Sequence, residues 1–344
     1  MSGVTRHDEA AQRDPAAPGR HRGAPGPELV TVADIEDAAA RLSGVCVRTP
    51  LVPFPLTDPP LLVKAESLQP IGAFKLRGAY NAIARVPEAD RARGVVAHSS
   101  GNHAQAVAHT ARRFGIPVVL VVPHTTPEVK VDACRRLGAE IVYVEPTMEA
   151  RVETAERLAE AHGFVQIPPF DHPDVIAGQG TVGLEIVQDL PGVEVVLVPI
   201  GGGGLISGVA AAVKGLRPDA RVIGVEPELA ADARASLRAG RRVEWPVEQT
   251  GLTIADALRV PRVGALTFAH IREYVDDVVV VSDDEIRRAM RHLARDVRLI
   301  AEPGGAVATA AYLYRRDALP PASSYVSVLS GGNVAPALFS EVLA

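Results

Sequence analysis

One lysine, Lys75, stands among apolar and small residues in the segment 69–79 (QPIGAFKLRGA), where a predicted strand at residues 61–66 gives way to a helix. A lysine usually keeps its ammonium group in water, so a nearly apolar setting needs an explanation. Desolvation lowers the pKa of a lysine and makes it a nucleophilic amine, as covalent chemistry with a carbonyl cofactor requires. The segment alone leaves a second interpretation open, in which Lys75 lies on the exposed side of a first helical turn.

Four consecutive glycines at positions 201–204 follow an apolar predicted strand at residues 193–200 and precede a predicted helix at residues 205–216. Glycine lets the backbone close around an anion, and the N–H groups and dipole at a helix N-terminus favour negative charge. The spacing is not that of a dinucleotide fingerprint, and no Lys-Ser or Lys-Thr pair follows as in a Walker A loop. We therefore favour a site for a phosphate monoester over a simple tight turn.

The segment 98–105 (HSSGNHAQ) follows a predicted strand at residues 94–98 and opens a helix. Its small residues and N–H donors at a helix N-terminus suit a carboxylate, although Ser and Asn also serve there as ordinary N-caps. A nucleophile elbow is a third interpretation, because residues 97–101 (AHSSG) differ from G-x-S-x-G at one position. A serine hydrolase acting through Ser99 therefore stays as an alternative, although no HGGG-type oxyanion segment precedes it.

A further candidate, Ser330, directly follows a predicted strand at residues 325–329, in the sequence LSGGN. A serine there can offer one neutral hydrogen bond to a ring nitrogen or a carbonyl, although the motif alone is an ordinary turn. A reactive lysine, a phosphate loop, a carboxylate-binding helix terminus and such a serine are together the groups that a pyridoxal-phosphate (PLP) enzyme requires.

The elements that would position these groups alternate along the chain. Short β-branched runs are separated by amphipathic segments of helical length, which predicts βαβ units and a mainly parallel sheet. These runs lie at residues 94–98, 117–122, 140–144, 193–200 and 221–225. Ligands in such folds bind at the carboxyl ends of strands, which is where the candidate loops occur. A first helix is predicted from residue 32 to residue 42, with Thr31 as its cap.

Composition excludes several classes of protein. The 344 residues are 47% hydrophobic and 22% charged, an ordinary globular balance. A net charge of -5 without a basic tract argues against nucleic acid as a partner, and no apolar run suggests a membrane span. Two cysteines, Cys46 and Cys134, fit a reducing compartment, so we expect a cytoplasmic protein. Residues 1–28 lack apolar periodicity and are predicted to be a disordered tail.

Taken together, the motifs resemble the signature set of fold-type II PLP enzymes, specifically the serine/threonine dehydratase (ammonia-lyase) and serine racemase family. The resemblance runs from about residue 29 to the C-terminus, with the motifs in the family's order. It implies an α/β fold of two lobes, each with a mainly parallel twisted sheet flanked by helices. The large PLP-binding domain would comprise residues 29–92 and 172–344, and the small domain residues 93–171. It further implies a homodimer. Because the sequence stops soon after Asn333, we expect no C-terminal regulatory domain of the kind that biosynthetic threonine dehydratases have.

The resemblance also implies roles for single residues. Lys75 would bind PLP covalently and remove the substrate's Cα proton. The cofactor would also be held by Phe74 beside the ring, Asn102 at the 3′ oxygen, Gly201, Gly202, Gly203 and Gly204 at the phosphate, and Ser330 at the pyridine nitrogen. The substrate carboxylate would be bound by Ser99, Gly101, Asn102, His103 and Arg151. For Arg151, an exposed helical position without a ligand remains the alternative.

A cation site is a further implication. Glu226 and Asp232 lie six residues apart with the backbone carbonyl of Ala230 between them, and such a set can chelate a hard cation. In serine racemases and some related dehydratases the matching residues bind Mg²⁺ or Ca²⁺. Acidic residues at the start of a helix, favoured by its dipole, are the alternative.

The predicted reaction is the PLP-dependent elimination of water from a small hydroxy amino acid, L-serine or L-threonine, to a 2-oxo acid and ammonia. Serine racemase, threo-3-hydroxyaspartate ammonia-lyase and a catalytically silent PLP-binding protein are alternatives. Ser100 keeps racemisation open, because serine racemases have a serine there that acts opposite the lysine. Two departures from the family pattern are Ala257, in place of a glycine near the cofactor, and Ile71, in place of a common threonine. The methyl group of Ala257 is predicted to shift the ring or narrow the substrate pocket.

Overall fold

The computed structural model describes residues 27–55, 57–99 and 101–344. The proposed base Ser100 and the predicted tail up to residue 26 therefore lie outside the described residues. The strands are β1 (Leu51–Pro53), β2 (Leu61–Ala65), β3 (Val95–His98), β4 (Val118–Pro123), β5 (Glu140–Val144), β6 (Val165–Gln166), β7 (Val195–Pro199), β8 (Arg221–Pro227), β9 (Asp277–Val281) and β10 (Tyr325–Leu329). The helices are α1 (Val32–Leu42), α2 (Lys75–Arg85), α3 (Glu88–Arg91), α4 (Asn102–Phe114), α5 (Glu128–Arg136), α6 (Met148–His162), α7 (Pro173–Asp189), α8 (Gly204–Leu216), α9 (Asp232–Ala239), α10 (Val247–Thr250), α11 (Ala265–Tyr274), α12 (Asp283–His292), α13 (Pro303–Tyr314) and α14 (Pro336–Leu343).

The strands form two sheets. The larger sheet has the order β1-β2-β10-β7-β8-β9 and the smaller one the order β5-β4-β3-β6. Every neighbouring pair is parallel except β1 and β2. The predicted mainly parallel α/β fold is therefore confirmed. The smaller sheet lies within residues 95–166, while the predicted boundaries of the two domains stay a prediction.

Burial explains which runs of sequence became central strands. All five residues of β7 and of β10 are buried, as expected where helices cover both faces of a parallel sheet. The first helix begins as predicted, with a capping box formed by Thr31 and Asp34. No helix in the part of the chain that the structure describes is long and apolar enough to cross a membrane.

A buried cluster of four charged side chains joins the larger sheet to two helices. Arg77 of α2 donates two hydrogen bonds of 2.8 Å to the Glu66 carboxylate and one of 2.7 Å to Glu185 of α7. Lys64 of β2 donates to the other oxygen of Glu185, at 2.6 Å. Burial alone would raise the pKa of Glu66, but Arg77 holds it below the ordinary value. The two positive and two negative charges balance, so the cluster fixes the first turn of α2 without a net buried charge.

We predict that Arg77→Met lowers the free energy of unfolding by about 3–5 kcal/mol, because it leaves buried carboxylates without their cation. Urea denaturation followed by circular dichroism measures the loss. Arg48→Met is the matched control, since Arg48 pairs with Asp189 but its side chain is 52% exposed. A surface pair of that kind contributes less than about 1 kcal/mol. Equal losses in the two variants would contradict a special role for the Arg77 cluster.

Candidate active site

Three of the motifs meet because their strands are neighbours. β10 lies between β2 and β7, and all three run in the same direction, so the loops that follow them share one edge of the sheet. The backbone N–H of Phe74 donates to the Ser330 carbonyl at 3.0 Å, and Ala73 pairs with Gly331 in an isolated antiparallel bridge. The structure therefore brings the lysine segment and the strand-end serine into direct contact.

Lys75 begins α2 at this edge, with its amine directed away from bulk water. Its Nζ donates to the Pro169 carbonyl at 2.6 Å and lies 5.3 Å from the centroid of the Phe74 ring. Desolvation by burial lowers the pKa of Lys75 to about 8. Of the two interpretations of this lysine, the geometry supports the desolvated, nucleophilic amine.

The glycine loop has the form of an anion site. Within residues 27–55, 57–99 and 101–344, the backbone N–H groups of Gly201, Gly202 and Gly203 have no hydrogen-bond acceptor. They directly precede α8, and Gly203 has a φ of 93°, which disfavours any residue with a side chain. A Cβ atom on Gly202 would lie only 2.2 Å from a ring carbon of Phe170. Free N–H donors in a cradle without side chains fit a phosphate ester.

The loop is supported by residues that the motif search did not single out. The Gly202 carbonyl accepts a hydrogen bond of 2.8 Å from the Thr267 hydroxyl and one of 3.3 Å from the Gly264 N–H. The Asp171 carboxylate accepts three backbone N–H groups at the start of α11, at 2.9 to 3.0 Å. A helix cap supplied by a residue 94 positions away leaves no local signal in the sequence.

Asn102 brings the smaller sheet's loop to the same place. Its Nδ2 donates to Glu302 Oε1 at 2.6 Å, and its Oδ1 accepts from Asn333 Nδ2 at 2.8 Å. Burial, with a further contribution from Asp256, raises the pKa of Glu302 to about 7. No role was predicted for the Glu302 and Asn333 side chains, although both lie in segments that match the family.

His103 is buried and hydrogen-bonded to the backbone. It is 3% exposed, and its Nε2 lies 2.8 Å from the Ile167 carbonyl. Burial, together with the nearby Lys75, lowers the pKa of His103 to about 3, so the ring is neutral and donates its proton to that carbonyl. Its predicted contact with the substrate carboxylate stays a prediction.

Two other predicted substrate ligands lie near the end of β3. Among the described residues, the Ser99 hydroxyl makes one hydrogen bond, accepting from the Gly101 N–H at 3.5 Å. No histidine or carboxylate in the described part of the chain hydrogen-bonds to this hydroxyl, as the base of a hydrolytic serine would. Arg151 donates to the Thr147 carbonyl at 3.2 Å and lies close enough to His98 to add to the lowering of that ring's pKa, which burial chiefly causes. Arg151 therefore lies beside the strand whose loop carries Ser99.

The acidic segment forms a site of its own. Glu226 accepts backbone N–H groups from Ala233 and Arg234, each at 2.9 Å, and Asp232 accepts from Val263 at 2.8 Å. Both carboxyl groups are buried, and burial raises the pKa of Asp232 to about 7 and that of Glu226 well above its ordinary value. Within the described part of the chain no three His, Cys, Asp or Glu residues cluster around a metal position. A cation here would need carbonyl and water oxygens besides the two carboxylates.

The structure shows which atoms lie next to Ala257 and Ile71, the two departures from the family pattern. A Cβ on Gly304 would lie 3.3 Å from the methyl carbon of Ala257, so that methyl packs where Gly304 leaves room. A Cβ on Gly201 would lie 3.4 Å from the Ala257 carbonyl oxygen. The Ile71 carbonyl accepts from Asn333, a contact that does not depend on the Ile71 side chain.

Comparison with known proteins agrees with this geometry. The family model described as pyridoxal-phosphate dependent enzyme (PALP) matches residues 42–331. The chain is 45% identical over 312 residues to an L-threonine ammonia-lyase of Thermotoga maritima, covering 89% of this chain and 76% of that protein. It is 40% identical over 308 residues to an L-threo-3-hydroxyaspartate ammonia-lyase of Saccharomyces cerevisiae, covering 88% and 93%. Among solved structures, maize serine racemase superposes with a TM-score of 0.87 at 37% identity, covering 91% of this chain and 97% of that one.

We predict that modification of Lys75 by an acylating reagent rises with pH through a midpoint near 8, because burial lowers the pKa of Lys75 to that value. Below this pH the amine is protonated and unreactive. The yield at each pH is measured by peptide mass spectrometry on cofactor-free protein. A lysine in water titrates near 10.4. Modification of Lys130, whose side chain is 33% exposed, checks in the same digest that the reagent remains active. A Lys75 profile with its midpoint near 10 would contradict the desolvated amine.

Proposed function

Because this chain belongs to the family of pyridoxal-phosphate dependent enzymes, we propose that it removes water from L-serine or L-threonine to yield a 2-oxo acid and ammonia. The observation that carries the proposal is the approach of the desolvated Lys75 amine and the glycine loop to the adjacent residues Pro169 and Phe170. The N–H donors of that loop have no acceptor among the described residues. Relatives named as threonine ammonia-lyases support this choice of reaction. PLP is the cofactor that the residues at this edge fit.

When bound, PLP supplies the electron sink for charge that develops at the substrate Cα. Lys75 is suited to remove the Cα proton, since an amine with a pKa of about 8 is partly neutral near neutral pH. The Pro169 carbonyl orients its Nζ. The Ser330 hydroxyl cannot stabilise a protonated ring nitrogen as a carboxylate would, which suits elimination better than transamination.

Apart from Arg151, the side chains proposed to hold the substrate are uncharged. His103 stays neutral, so it does not compete with the lysine for protons. The free N–H groups of the glycine loop would hold the phosphate, and the N-terminus of α4 would hold the substrate carboxylate. We assign the carboxylate to Ser99, Gly101, Asn102 and His103, with Arg151 approaching from α6.

Substrate and product assays test the proposal. Protein purified with PLP is expected to be yellow, and borohydride should attach the cofactor to Lys75 irreversibly. The holoenzyme should then release 2-oxo acid from L-serine or L-threonine faster than from L-threo-3-hydroxyaspartate, and Lys75→Ala should abolish it. Protein that stays colourless with added PLP would exclude the cofactor. Yellow protein that releases no 2-oxo acid would indicate a silent binder.

Racemisation is the second candidate, favoured by the similarity to maize serine racemase. D-serine formed from L-serine faster than pyruvate would replace the proposed reaction with this one. Ser100→Ala should then abolish D-serine formation while elimination by Lys75 persists, because racemisation needs a group on each face of the substrate. A hydrolase would instead label at Ser99 with a serine-directed phosphonate.

We propose in addition that Glu226, Asp232 and the Ala230 carbonyl bind Mg²⁺ or Ca²⁺. Two buried carboxylates on one short segment favour a cation, and hard cations prefer oxygen ligands. The alternative role, acceptors for backbone N–H groups only, predicts no response to metal.

We predict that adding Mg²⁺ or Ca²⁺ to chelator-treated protein raises its melting temperature, because a ligand that binds only the folded state stabilises it. Glu226→Gln should abolish the increase. Glu228→Gln is the matched control, since Glu228 lies two residues further along and is exposed. Thermal unfolding followed by fluorescence measures the change. An unchanged melting temperature with either metal would contradict the site.

We also propose that the protein is a homodimer, as the family resemblance implies. The molar mass of the protein in solution, measured by light scattering, tests whether it is a dimer. A mass near the 36.2 kDa of one chain would contradict the dimer.

A further inference from the structure

A chain of hydrogen bonds links a backbone carbonyl to the predicted cofactor ligand Asn102. Asn333 Nδ2 donates to the Ile71 carbonyl at 2.8 Å and to Asn102 Oδ1 at 2.8 Å. Asn102 Nδ2 in turn donates to Glu302 Oε1 at 2.6 Å. The chain begins in the lysine segment, crosses the strand-end loop and ends at the residue predicted to bind the cofactor's 3′ oxygen.

The donors and acceptors allow one orientation of each amide. A backbone carbonyl can only accept, so Asn333 must turn its NH2 group towards Ile71. The second hydrogen of that NH2 group points at Asn102, which must therefore present Oδ1. If the Asn102 amide were rotated by 180°, its NH2 group would face the NH2 group of Asn333, and two donors would meet without an acceptor between them. The NH2 group of Asn102 therefore points away from Asn333 and towards Glu302.

Two glycines leave the space that this arrangement needs. Gly72 has a φ of 73°, and a Cβ on it would lie 2.5 Å from Asn333 Oδ1. A Cβ on Gly331 would lie 2.3 Å from Glu302 Oε1. Gly332 N–H donates to the Gly72 carbonyl at 2.9 Å, which ties the two loops together. The glycines of both motifs therefore leave room for the hydrogen-bonded side chains and also allow the backbone turns.

We propose that Asn333 is a positioning residue that orients the Asn102 amide so that Asn102 presents an N–H donor to the cofactor's anionic 3′ oxygen. The inference rests on the proposed function, because it takes Asn102 as a PLP ligand. Asn333 acts through Asn102 and does not touch the cofactor itself. With the opposite orientation, Asn102 would present an oxygen to an anionic oxygen, which is repulsive.

The test is Asn333→Asp, which replaces the NH2 group by an oxygen facing two acceptors. Asn102 should then turn its own NH2 group towards residue 333 and lose its donor to the cofactor. We expect the dissociation constant of PLP to rise about 10–100-fold, which is the effect of losing a hydrogen bond to a charged group. The visible band should also titrate at a higher pH, because the anionic oxygen loses its donor. Serial dilution and a pH series of absorption spectra measure both.

Asn81→Asp is the matched control. Asn81 is a buried asparagine of α2, whose Oδ1 accepts from Arg41 at 2.8 Å and whose Nδ2 donates to the Asp174 carbonyl at 2.7 Å. Asn81 makes the same kinds of hydrogen bond, but away from the proposed cofactor site. We expect it to leave the PLP affinity and the titration of the visible band unchanged, whatever it does to the melting temperature.

A double-mutant cycle separates positioning from a general loss of structure. In an Asn102→Ala background, Asn333→Asp should cause no further loss of PLP affinity, because its effect passes through Asn102. An equal loss in both backgrounds, or an unchanged affinity and titration in Asn333→Asp alone, would overturn the inference. If Asn333→Asp does not fold, Asn333→Ala takes its place in the same cycle, with the same criteria. Failure of the wild-type chain to bind PLP would instead refute the proposed function.

Discussion

The pairing of Arg77 with the buried Glu66 and the half-buried Glu185 is the interaction on which the site depends. Arg77 lies two residues after Lys75, and its guanidinium holds the first turn of α2 to Glu66 and Glu185. A charged cluster of this kind has a defined geometry, since each donor must meet its own acceptor. The same cluster contains Lys64 of β2. It therefore fixes the positions of β2, α2 and Lys75 relative to one another.

The site contains polar groups that lack a charged or a hydrogen-bonding partner among the described residues. The Lys75 amine is desolvated without a carboxylate partner, and the glycine loop holds N–H groups without acceptors among the described residues. Each of these costs stability in the free protein. The surrounding charge pairs and helix caps, such as the one Asp171 forms at α11, hold them in place. A bound phosphate ester would satisfy the loop's donors.

Local patterns predicted most of the fold. The helix at 32–42 and the strands at 140–144 and 325–329 were predicted with their observed bounds. A clear cap marks the helix, burial on both faces marks the strand at 325–329, and a short β-branched run marks the edge strand at 140–144. The short strands β1 and β6 and the later strand β9 were not predicted. β1 and β6 have only three and two residues, so their pairing depends on strands distant in sequence.

The sequence by itself determined the reactive lysine, the glycine loop and the strand-end serine, because each is a residue type that a particular chemistry requires next to a strand. Only the tertiary structure decided how they meet. It placed β10 between β2 and β7, and it joined Asn102, Asn333 and Glu302, which lie up to 231 residues apart. Hydrogen bonds between distant side chains leave no periodic trace in a sequence. Their roles follow from geometry, because each donor must find its acceptor in the folded chain.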